Sequence, residues 1–156
     1  MIEKAMAQWW LLLAILGAFS ASVSATVIVP EYNRSFHSLP ALFGQPLPLE
    51  IPVTAYLQMI NDWPLLCEDP DRTPDPNAVV TPDDGLPVAL LVERGTCTFW
   101  EKGETASLWS PPVQYVIVYD NEEKPELVPM GSKVDSNMTL LFVTRQTGLG
   151  KKNFKP

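Results

Sequence analysis

Histidine is nearly missing from this chain and cysteine is scarce: 156 residues contain one histidine, His37, and two cysteines, Cys67 and Cys97. Three such side chains cannot supply the four ligands of a structural zinc site. They also leave any nucleophile with a single imidazole to act as its base. Basic residues are in deficit, 11 against 18 acidic, and the net charge of −7 removes the electropositive footprint that nucleic-acid binding requires. No glycine-rich phosphate loop is present. The acidic stretch DPDRTPDPN, with Asp69, Asp71 and Asp75, lacks the glycine and closing glutamate of a calcium loop and reads as a solvated negative loop. No metal and no cofactor is therefore expected.

Long apolar runs are also missing, apart from one at the start. Residues 1–25 combine a polar beginning, an apolar run from Trp9 to Phe19, and small residues ending in Val23-Ser24-Ala25. That is the layout of a secretory signal peptide, with Thr26 as the new N-terminus. The run falls short of the ~18–20 apolar residues that span a bilayer. No later run reaches that length, so the mature chain is expected to be soluble, with no membrane span of its own. Two sequons, Asn33-Arg34-Ser35 and Asn137-Met138-Thr139, agree with a glycosylating secretory route and make Asn33 and Asn137 candidate glycosylation sites. The expected location is the secretory pathway, either extracellular or in an endosomal or vacuolar lumen.

What remains is enough for one domain, since domains take ~100–150 residues. The segment EYNRSFHSLPALFGQPLP mixes Phe36, Leu39, Leu42 and Phe43 with Gly and Pro, and is expected to be irregular but packed. Ile51 to Ile60 has the alternation of a strand. Asn61 to Pro87 is rich in proline and aspartate, and nothing regular persists there. Pro87 to Glu93 and Gln114 to Asp120 are nearly continuous apolar runs, the pattern of strands buried on both faces. Between them, Thr98-Phe99-Trp100-Glu101 forms a capping box, Phe99, Ala106 and Trp109 recur at helical spacing, and Pro111-Pro112 ends the helix. Strand, helix and strand in about thirty residues make a right-handed βαβ unit with parallel strands. Thr139 to Thr144 adds another strand, and residues 148–156 read as a flexible basic tail.

The turn LVERGTCTFWEKGE joins the first buried strand to the helix, a place where a nucleophile could be displayed. Cys97 fits that role poorly, because Phe99 stands where an elbow needs glycine and His37 lies far off in the irregular N-terminal segment. In a secreted chain, two cysteines with no other use most simply pair as Cys67–Cys97, closing a loop of about thirty residues worth ~3–4 kcal/mol. Two free, separated cysteines are the alternative.

The stretch VALLVERGTCTFWEKGETA, followed by the strand QYVIVYDN, resembles the core of the protease-associated (PA) domain. That family carries an apolar strand, Arg-Gly-x-Cys-x-Phe and a helix opening with Lys, here Arg94, Gly95, Cys97, Phe99 and Lys102. SFHSLPALFGQPLP, LLCEDP and LVPMGS further resemble the luminal half of PA-transmembrane-RING ubiquitin ligases, so that the likeness covers Phe36 to Leu149. The resemblance implies a single α/β domain over residues 26–147, a mixed β-sheet curled toward a barrel with flanking helices. It implies a module that is not an enzyme and that binds a peptide or protein ligand, with Arg94, Gly95 and Thr96 as the candidate ligand-binding surface. Leu108 to Pro112 depart from the small residues the family has there. The transmembrane helix and RING are absent from this sequence, so the alternative is the regulatory lumenal part of a membrane RING-type E3 ubiquitin ligase or of a protease.

Overall fold

The computed structural model describes residues 25–29, 34–47, 52–69, 71–75, 78–79, 82–109, 113–124 and 126–150. Residues 1–24 of the expected signal, the candidate glycosylation site Asn33 and the tail residues 151–156 lie outside them. Six strands form one sheet: β1 (Ala25–Val29), β2 (Arg34–Pro40), β3 (Tyr56–Gln58), β4 (Val88–Glu93), β5 (Val113–Tyr119) and β6 (Thr139–Val143), in the spatial order β1-β2-β6-β5-β4-β3. Strands β3 to β6 run parallel, whereas β2 is antiparallel to both β6 and β1. The sheet is mixed, as expected, and open, with β1 and β3 at its edges.

The expected βαβ unit is the centre of the fold. Helix α1 (Phe99–Ser107) starts at the capping box: the Thr98 hydroxyl accepts from the Glu101 N–H at 3.2 Å, while Glu101 accepts back from the Thr98 N–H at 2.6 Å. Two helix-end donors are thereby satisfied. Residues 88–92 of β4 and 116–119 of β5 are buried without a break, and burying each such Val or Leu contributes roughly 1.5–3 kcal/mol. One face, with Val88, Leu90, Val92, Val116, Val118, Leu140 and Phe142, packs with Ala106 and Trp109. On the other, Ala89, Leu91, Ile117, Tyr119, Leu141 and Val143 pack with Leu57 and Leu149.

Three local expectations change. Residues 34–40 form a regular strand where an irregular segment was expected, because β1 and β6 supply ladder partners on both sides. Of the strand expected over Ile51–Ile60, the described residues 52–60 keep three, Tyr56–Gln58, since β4, their one partner among the described residues, begins only at Val88. Arg145–Gly150 form a second helix among the described residues, α2, in place of the start of a fraying tail. Gly148 is buried there against Tyr119: a Cβ at that position would stand 2.2 Å from the Tyr119 Cβ, so only glycine allows this approach.

The acidic proline-rich loop has no regular structure in its described residues, yet it is anchored rather than merely solvated. Its Trp63, Leu66 and Val79 enter the core, Trp63 packs on Trp109 at 5.5 Å between ring centroids, and the Trp109 indole N–H donates to the Asp75 carbonyl at 3.1 Å. Arg72 lies over the Trp63 ring at 4.6 Å and pairs with Asp62. These contacts hold Cys67 at a fixed height beside the turn that follows β4.

Candidate recognition loop

The pairing of β4 with β5 sets Glu93 opposite Tyr119, so the next residues, Arg94 and Asp120, emerge side by side at the strands' C-terminal ends. The Arg94 N–H donates to the Tyr119 carbonyl at 2.9 Å, and its Nη1 meets Asp120 Oδ1 at 3.1 Å. The Asp120 side chain is only 2% exposed, while that of Arg94 is 35% exposed. Asp120 Oδ1 also accepts the Glu122 N–H at 3.2 Å, so this one oxygen holds both contacts. The Tyr119 hydroxyl donates to Glu93 at 3.1 Å; burial, together with the neighbouring Glu93 charge, pushes its pKa up to about 12.

Beyond Arg94 the backbone turns sharply. Gly95 has φ +133° and Thr96 has φ +60°, and the Cys97 N–H donates to the Gly95 carbonyl at 2.7 Å, closing a three-residue γ-turn centred on Thr96. Positive φ is rare for a β-branched residue and costs on the order of 1–3 kcal/mol, so the surroundings must hold Thr96 in place. They do so from both sides. The Arg94–Asp120 pair fixes the entry, and a disulfide between Cys67 and Cys97 fixes the exit, with a Cα–Cα distance of 5.6 Å. Thr96 itself is exposed at the tip.

Lys102, one turn into α1, is completely buried beneath this clamp. Its Nζ donates to the Leu65 carbonyl and, at 3.3 Å, to the Gly95 carbonyl, and it lies 3.4 Å from Cys97 Sγ and 3.8 Å from Cys67 Sγ. Burial lowers its pKa from 10.5 to about 8, against the raising influence of Glu101 and Glu93. The ammonium therefore ties the loop carrying Cys67 to the turn carrying Cys97.

Next to the turn lies an open groove of about 560 Å³ lined by Thr98, Trp100 and Gly131 to Val134. The Trp100 indole N–H donates to the Asp135 carbonyl at 3.1 Å, which stiffens one wall, and Val134 is 54% exposed.

Arg94, Gly95, Thr96, Cys67 and Cys97 thus come together in one substructure. Asn137, the second candidate glycosylation site, is exposed just before β6 and belongs to a different loop. His37 is exposed on β2. Among the described residues no three His, Cys, Asp or Glu side chains converge as metal ligands, and no helix is long and apolar enough to cross a membrane. Sequence reading missed Asp120 and the burial of Lys102. Both left a signal: Asp120 directly ends the strand that pairs with β4, and Lys102 stands on the Phe99-Ala106-Trp109 stripe at helical spacing.

No protein-family model matches the chain, and no curated protein matches it. Solved structures do. BSAP, a zinc aminopeptidase from Bacillus subtilis, matches 84% of this chain with a TM-score of 0.60 at 17% identity, and a medium-resolution structure of the same enzyme matches 83% with a TM-score of 0.57 at 18% identity. The chain spans only 28% and 27% of those two chains, so the likeness is to a part of that enzyme. At such identity the likeness is one of fold, and the fold it supports is an α/β domain of the protease-associated type.

Proposed function

We propose that this domain is a non-catalytic recognition module of the secretory pathway, extracellular or in an endosomal or vacuolar lumen, that binds a peptide or protein segment at the Arg94–Thr96 turn. The observation that carries the reading is Thr96: a β-branched residue held at φ +60°, exposed, and clamped on both sides by an ion pair and a disulfide. Strain of this kind persists where the surroundings over-determine it, and it concentrates at ligand clamps. The groove beside Thr98 and Trp100 gives a bound segment an apolar path onward from the turn. The disulfide supports an oxidising compartment.

Selection of a random peptide library on the immobilised domain tests this reading. Wild type should enrich a consensus, and Thr96→Asp, which tolerates positive φ but adds charge, should weaken the selected peptide at least about tenfold with an unchanged melting temperature. Absence of any enriched peptide, or equal binding by the variant, would reject the turn as the recognition surface.

A second reading is the regulatory part of a larger enzyme. It is favoured by the match to little more than a quarter of a zinc aminopeptidase chain, which makes a protease the better supported host than a RING-type ubiquitin ligase. A transcript that continues from this sequence into a peptidase or RING segment would establish it.

A further inference from the structure

A lysine buried with no countercharge in contact is costly, because desolvation penalises the ammonium and only carbonyl dipoles and the Glu101 and Glu93 charges beyond ion-pair distance offset it. Among the described residues Lys102 forms no ion pair, and besides two carbonyls its Nζ meets the two sulfurs of the disulfide. A disulfide is neutral and gains little from a nearby cation. A thiolate at the same place would supply a countercharge in direct contact.

We infer that the Cys67–Cys97 bond is a site of thiol–disulfide exchange with an external dithiol reductant, and that Lys102 positions and stabilises Cys97 as the departing thiolate. The asymmetry comes from geometry: Nζ lies 3.4 Å from Cys97 Sγ and 3.8 Å from Cys67 Sγ, so Cys97 is the better leaving group and Cys67 the sulfur attacked. Both cysteines are half-buried rather than sealed in the core. A thiolate of the reductant bonds to Cys67 Sγ as the S–S bond breaks, and the electron pair leaves on Cys97. The reductant's second thiol then displaces Cys67, giving a cyclic disulfide on the reductant. Two electrons enter the protein; of the two thiol protons, one ends on Cys67 and one in solvent, while Cys97 remains a thiolate beside the Lys102 ammonium. Opening this bond releases the exit of the strained Thr96 turn. Reduction therefore loosens the loop whether or not that loop is the peptide site.

The oxidised protein is treated with dithiothreitol for rates and, separately, with glutathione, whose mixed disulfide is located by peptide mapping after alkylation. Wild type should carry glutathione on Cys67, show thiolate absorbance at 240 nm at pH 7 once reduced, and gain amide exchange at Thr96 to Thr98. Lys102→Met should react with the dithiol at least about tenfold more slowly and lose the thiolate absorbance. Glutathione on Cys97, no thiolate in reduced wild type, unchanged exchange at the turn, or equal rates for the two proteins would overturn the inference. Should Lys102→Met fail to fold, the three wild-type readouts decide alone.

Discussion

Arg94 and Asp120 pair across the ends of two parallel strands, Nη1 to Oδ1 at 3.1 Å, and the acid is the buried partner. Removing the arginine therefore strands a carboxylate rather than a surface charge. Arg94→Ala is expected to lower unfolding free energy by about 2 kcal/mol, less than the roughly 3–5 kcal/mol of a fully buried pair because the guanidinium is partly solvated and Glu122 still donates to the acid. Urea denaturation at neutral pH measures it. Equal stability of wild type and Arg94→Ala would mean that the pair does not brace the turn and that Arg94 is free for a ligand.

Gly148 decides whether α2 is part of the domain. Its missing side chain lets the helix lie against Tyr119, with a virtual Cβ at 2.2 Å from the Tyr119 Cβ and 2.4 Å from its Cγ. Helix propensity alone would favour alanine here by roughly 1 kcal/mol. Gly148→Ala should instead cost about 2–3 kcal/mol through overpacking, with α2 losing amide-exchange protection before the sheet does. A stabilised variant would show that the helix does not dock.

How much of this was legible differs from element to element. The βαβ unit could be read because each of its signals is local: two apolar runs, a capping box and a proline stop. β2 could not, since its partners β1 and β6 lie on either side in space while its own residues include Pro and Gly neighbours that argue against a strand. α2 was hidden by the same glycine that its packing requires. In the candidate site, the cysteine pairing followed from counting, and the turn residues from resemblance to a family. Lys102 entered only as the lysine that opens the helix, and its burial went unread although its position on the apolar stripe pointed inward.

Thr98 ties the Arg94–Thr96 turn to the helix behind it. Thr98→Ala should cost about 1 kcal/mol, the usual value of a lost N-cap. The cost should depend on pH in a defined direction. Hydrogen bonds from Thr98 hold the Glu101 carboxyl below its ordinary 4.5, so the stability this gives is present above that value and is lost as pH falls through the lowered one. Thermal melts of both proteins between pH 3 and 7 should show their difference narrowing at the acid end. A constant difference would assign the effect to the bond the hydroxyl accepts from the Glu101 N–H, with no share from the one it donates to the carboxylate.

Lys102 makes the alkaline limb of stability informative. Its pKa is about 8 in the folded protein and 10.5 ordinarily, so between these values the unfolded chain binds the extra proton and stability rises with pH. Tyr119 acts in the opposite sense at higher pH: its pKa of about 12 against an ordinary 10.0 means the folded protein keeps a proton the unfolded chain has released, and stability falls from about pH 10 upward. Urea midpoints of the oxidised protein should therefore climb from pH 8 toward 10 and then turn down. Lys102→Met should remove the climb and leave the decline, while Tyr119→Phe should do the reverse. If Lys102→Met still climbs between pH 8 and 10, some other group titrates there, and the ammonium beneath the disulfide is better solvated than its complete burial implies.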